Sequence, residues 1–120
     1  MIQLRLRRDS RERVCELDCR GHAGFDDGTG IDLVCAGVSA VLGALAIGLT
    51  EVAALPIPID AGDGAFHVRI PEHLDPDQQR QAALLMETAA RALLALDTHY
   101  RGYLQVDWLE PRQEFGSAPE

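Results

Sequence analysis

From Leu33 to Thr50 the chain runs for 18 residues without a charged side chain. A helix over that run is about 27 Å long, barely the hydrocarbon thickness of a bilayer. Asp32 and Glu51 close it, no Lys or Arg flanks it, and amphipathic sequence on either side needs an apolar helix to cover it. The run therefore predicts a buried central helix and no membrane span. Its small residues, Gly37, Ala40, Gly43, Ala44 and Gly48, permit close approach to a sheet or to a second subunit.

The sequence around this helix alternates. Ile2, Leu4 and Leu6 interleave with Gln3, Arg5 and Arg7, which predicts a half-buried strand, and Asp9-Ser10-Arg11-Glu12 supplies a polar turn. In the strand that follows, Cys15, Leu17 and Cys19 face one way and Glu16, Asp18 and Arg20 the other. Leu55 to Ile59, Asp60 to Gly64 and Ala65 to Ile70 read as strand, tight turn and strand, with Pro56 and Pro58 placing the first at an edge. Asp75 opens a second helix whose buried stripe is Ala82, Leu85, Met86, Ala89, Leu93 and Leu96. Tyr100 to Leu109 alternates once more, with Leu104, Val106 and Trp108 on one face. Two hairpins, two long helices and a last strand predict an α+β domain of two layers, an antiparallel sheet packed against the helices. A single domain is expected over residues 1–110, with a flexible tail over 111–120.

Charge and cysteine usage narrow the function classes. The net charge is −8, all 11 basic residues are Arg, and the single basic cluster, Arg5, Arg7, Arg8, Arg11 and Arg13, lies on a hairpin without interleaved aromatics. Direct nucleic-acid binding is not expected. An acidic surface instead steers a basic protein partner toward the molecule, besides keeping it soluble. Three cysteines, an odd number, and an opening that enters strand-like sequence without an apolar leader predict a reducing cytoplasm. Cys15 and Cys19 sit about 13 Å apart in one strand at about 3.3 Å per residue, too far for a disulfide or a shared metal, and read as core filler. No metal or cofactor is expected.

One constellation carries chemistry. Gly21-His22-Ala23 ends a strand, a loop with Gly24, Asp26, Asp27, Gly28 and Gly30 follows, and Asp32 stands where a helix N-cap belongs, putting Cys35 in the first turn. Exposed first-turn amides and the helix dipole stabilise a thiolate by about 0.3–2 kcal/mol. A thiol titrating near about 8.5 remains mostly protonated at neutral pH under that influence alone, and the Asp32 carboxylate opposes ionisation. His22, a short loop away, is placed to supply the missing positive charge as a general base. At about 100° per residue, Asp32, Cys35 and Ser39 share one helix face, so Asp32 orients His22 or only caps the helix, and Ser39 supports the site or only packs. The loop is no phosphate cradle, for it lacks Lys, and no calcium loop, for the EF-hand spacing is missing. Its glycines suit either a mobile lid over an extended peptide or an ordinary connection. A thiol on an apolar helix is usually an inert core cysteine, and the residues alone leave both readings open.

Gly21-His22-Ala23, the Gly-containing loop and Asp32-Leu33-Val34-Cys35-Ala36-Gly37-Val38-Ser39 resemble the signature of the ribosomal-processing cysteine protease family, Prp. Tyr100-Arg101-Gly102-Tyr103-Leu104-Gln105-Val106 is similar to that family's closing strand. The chain departs from the usual pattern in a His-to-Cys segment one residue longer, in Phe25 where Tyr is common and in Arg101 for Pro. The resemblance implies a homodimeric cysteine endopeptidase that removes a short N-terminal extension from a large-subunit ribosomal protein. On it Cys35 matches the nucleophile, His22 the general base, and Asp32 and Ser39 supporting positions. Two other readings use the same residues: an acidic, non-catalytic dimeric module that binds a basic ribosomal protein, and a redox or metal domain of Cys15, Cys19, His22 and Cys35 that the strand geometry disfavours.

Overall fold

A computed structural model describes residues 1–111, so the tail expected over 111–120 lies, past Pro111, outside the described residues. Strand β1 (Ile2–Arg8) pairs antiparallel with β2 (Val14–Arg20), helix α1 (Leu33–Ile47) follows and ends in a π-helical turn (Gly48–Val52), and β3 (Ile59–Gly62) and β4 (Ala65–Arg69) form a hairpin. Helix α2 (Pro76–His99) and strand β5 (Leu104–Leu109) complete the fold, and the sheet order is β3-β4-β2-β1-β5. The expected two-layer α+β architecture is present, with one addition to its pairing. β5 lies parallel to β1, Ile2 opposite Leu104, whereas β1, β2, β4 and β3 pair antiparallel in turn. Parallel neighbours need a long crossover. Here α2 carries the chain from β4 across β2 and β1 to the far edge.

The sheet's two faces follow from the alternation. Ile2, Leu4, Leu6, Leu17, Cys19, Phe66 and Val68 are buried beneath the helices, against Val34, Val38, Leu42 and Leu45 of α1 and Ala82, Met86, Ala89, Ala90 and Leu93 of α2. A β-bulge sets one residue off that pattern. Arg7 opposes Glu16 but Arg8 opposes Val14, so Cys15 is the extra residue, Val14 takes the inward place, and Cys15 is only half-buried instead of filling the core. On the opposite face the charged residues bury one another. Asp18 is 1% and Glu16 4% exposed; Arg5 donates to Asp18 at 2.8 Å, Arg7 pairs with Glu16, and His67 meets Glu16 at 2.7 Å.

Three further expectations are corrected. Leu55 to Pro58 is an extended link and not a strand: the two prolines have no N–H to donate to a ladder, and Leu55 and Ile57 drop into the core instead. Trp108, on the apolar face, remains 43% exposed because β5 is an edge strand, and Arg8 lies 4.9 Å over its ring. Helix α1 is apolar enough and, with its π-helical turn, long enough to cross a membrane, yet it forms part of the helical layer, and its burial is one-sided. Val34, Val38, Leu42 and Leu45 face the core, while Leu33, Ala36, Ala40, Gly43, Ala44 and Ile47 are exposed. Gly37 and Gly48 let α2 come close, with Leu96 3.4 Å and Leu85 3.0 Å from where their Cβ atoms would stand.

Candidate active site

The site forms where β2 ends and α1 begins. Asp32 is the N-cap of α1, in extended conformation, and its Oδ1 accepts the Cys35 N–H at 3.0 Å. Its other oxygen, Oδ2, accepts the N–H groups of Gly24 at 2.9 Å and Phe25 at 3.2 Å. One carboxylate thus caps the helix and latches the preceding loop onto it. Three backbone donors hold its pKa below the ordinary carboxylate value, the Cys35 N–H contributing most.

That latch brings the strand end to the thiol. Ala23, next after His22, donates its N–H to Cys35 Sγ at 3.1 Å. The thiol's pKa lies above its ordinary value: burial raises it most, the Ala23 amide lowers it, and the Asp32 carboxylate raises it further. Desolvation and a nearby anion outweigh the single amide that favours the thiolate. Burial pushes the Cys19 thiol up to about 12, well beyond the shift at Cys35.

His22 is exposed, and no hydrogen bond joins its ring to Cys35 or to another described residue. Its imidazole lies over the β3–β4 turn, where a Cβ placed on Gly64 would stand 3.3 Å from Nε2. Ser39, one turn beyond Cys35, is exposed and likewise makes no hydrogen bond to a described residue. The structure therefore joins Asp32 to Cys35 and puts the His22 backbone beside the thiol through Ala23, while neither the imidazole nor the Ser39 hydroxyl is hydrogen-bonded to it.

The loop is built from local turns. Gly24, Gly28 and Gly30 hold φ of 72°, 89° and 79°, open to the left-handed region that glycine favours. Asp26 accepts the Gly28 N–H, and Asp27 accepts both the N–H and the hydroxyl of Thr29. Phe25 anchors the loop's start between Tyr100 and Tyr103, edge-on to each at centroid distances of 5.6 and 5.3 Å. Sequence reading passed over the Ala23 amide and this aromatic trio as site elements. A backbone donor leaves no side-chain signature, and the tyrosines lie more than 70 residues downstream. Among the described residues no three His, Cys, Asp or Glu side chains cluster to hold a metal ion.

Comparison with known proteins bears on the family and the fold. The family model described as "Cysteine protease Prp" matches residues 1–105. The ribosomal processing cysteine protease Prp of Bacillus subtilis is 34% identical over 108 residues, spanning 88% of this chain and 96% of that protein. A crystal structure of the Staphylococcus aureus ribosomal processing protease Prp with a covalently linked product peptide superposes with a TM-score of 0.71 at 23% identity, over 91% of this chain and all of the other. SMU.848 from Streptococcus mutans superposes with a TM-score of 0.69 at 22% identity, over 91% of this chain and 94% of its own. At those identities the two structures speak for the fold; the family match and the Bacillus subtilis relative place this chain in the Prp family of cysteine proteases.

Proposed function

We propose that the chain is an endopeptidase that removes a short N-terminal extension from a large-subunit ribosomal protein during ribosome maturation, with Cys35 as nucleophile and His22 as general base. The observation that carries the reading is the Ala23 N–H on Cys35 Sγ, which fixes the strand end bearing His22 against the first turn of α1. The names of the relatives, a ribosomal processing protease and one holding a substrate peptide, supply the substrate class.

In the mechanism, His22 takes the proton of Cys35 and the thiolate attacks the scissile carbonyl carbon. First-turn amides of α1 stabilise the oxyanion. The C–N bond breaks, His22 returns the proton to the departing amine, and water hydrolyses the thioester. Because the imidazole makes no hydrogen bond to a thiol whose pKa is raised, substrate binding completes the dyad. Gly24, Gly28 and Gly30 let the loop close over an extended peptide, Asp32 latches it, and Ser39 supports the bound chain. The net charge of −8 favours a peptide segment of a basic ribosomal protein. The uncharged exposed face of α1, with Ile47 52% exposed, is the surface on which two copies of an acidic chain meet without opposing carboxylates, as a homodimer. The cytoplasm, where ribosomes assemble, is the working compartment.

A second reading, a non-catalytic acidic module that binds the same ribosomal protein, draws support from the unjoined His22 and Cys35 and from the raised thiol. Intact-mass analysis of the host's large-subunit ribosomal protein, carrying its N-terminal extension and incubated with this protein, separates the two. Loss of the extension at one junction is the expected result. A stable complex whose ribosomal component keeps its full mass would establish the module instead.

A further inference from the structure

Gly64 stands at the tip of the β3–β4 hairpin, beside His22. It sits in the two-residue Asp63-Gly64 turn between β3 and β4 with φ +67°, which a turn of this kind asks of glycine. Its carbonyl accepts the Gly21 N–H at 2.8 Å, holding the residue just before His22. Its missing side chain leaves the space into which the His22 ring fits: a Cβ there would lie 3.6 Å from Cε1, in ordinary contact, but 3.3 Å from Nε2, so the ring would have to give by a few tenths of an ångström. Gly21 is fixed from its other side as well, because a Cβ on it would come 2.9 Å from the Met1 carbonyl oxygen. The main chain at His22 and its ring are therefore supported by the same hairpin tip, an element 42 residues away in sequence.

We propose that Gly64 is a positioning residue for the catalytic imidazole, a side-chain-free seat on which His22 rests and from which it turns to the thiol. The inference rests on the reading of His22 as the general base. A side chain at position 64 displaces the ring by a few tenths of an ångström and obstructs its return to the seat. It acts on proton transfer through His22 and leaves the peptide-binding elements, α1 and the glycine loop, untouched.

Three variants test this, read by steady-state cleavage of a peptide spanning the extension junction and by the His22 ring signals in an NMR spectrum of the whole protein. Gly64→Ala lowers kcat about tenfold with KM within about twofold, and moves the His22 ring signals. Gly64→Asn, which tolerates the left-handed backbone, lowers kcat further and serves if the alanine variant does not fold. Gly62→Ala, in the same hairpin but with open space at its Cβ, keeps the wild-type rate and ring signals. A Gly64 variant with normal kcat, or one with reduced kcat and unmoved His22 signals, overturns the seat. His22→Ala with undiminished cleavage overturns instead the reading of His22 as the base, so the two failures are distinguishable.

Discussion

At the scale of the single residue, Asp32 does two things that pull in opposite directions. It latches Gly24 and Phe25 to the helix start, and its charge raises the pKa of the thiol it helps to position. Asp32→Asn separates them. The amide oxygen still accepts the Cys35 N–H, but its NH2 group faces the donors of Gly24 and Phe25 and cannot accept from them. The alkylation rate of Cys35 then rises at lower pH than in wild type, while hydrogen exchange at Gly24 and Phe25 accelerates. An unchanged pH profile would show that Asp32 does not govern the thiol. Cys35 and Asp32 were legible because an N-cap and a first-turn thiol are local patterns. The direction of the thiol's shift was not, since burial is a property of what packs around it.

Elements show the same division. Asp75 and Gln78 form a reciprocal capping box at the start of α2, a signal readable from spacing alone, and Asp75→Ala costs about 1 kcal/mol in urea denaturation. Tertiary charges were not readable. Arg8 at the end of β1 reaches Glu87 on α2 at 2.7 Å, and with Arg91 holds that carboxyl down at about 2 against an ordinary 4.5. A carboxylate whose folded pKa is depressed stabilises fully above its unfolded value and ceases to do so as pH falls through the folded one. Glu87→Gln should therefore lower stability by about 1 kcal/mol above pH 5, with the gap closing by about pH 2. A gap independent of pH would mean that the pair carries no net charge interaction. Likewise, alternation predicted that β2 turns Glu16 and Asp18 away from the apolar core, but the bulge at Cys15 and the parallel seat of β5 depend on partners that no local pattern names.

At the scale of the molecule, the sheet separates an apolar layer from an ionic one and delivers the two site segments to the same end. The ionic face is a stability element of its own: Asp18→Ala leaves Arg5 without its buried carboxylate and should cost about 3 kcal/mol, measured by denaturant titration. A loss below about 0.5 kcal/mol would show that solvent replaces the pair freely. The exposed α1 stripe shows how an uncharged run of this length fits a two-layer domain, with one side in the core and the other at the surface. Length and composition announced the helix, but only the packed sheet shows which side remains uncovered. The proposal that Cys35 and His22 together cut the extended ribosomal protein is tested by the single-turnover cleavage rate in wild type, Cys35→Ser and His22→Ala, each verified as folded. The expected result is cleavage by the wild type, none by Cys35→Ser, and a loss of about 10²-fold or more in His22→Ala. Cleavage that persists in Cys35→Ser would contradict it.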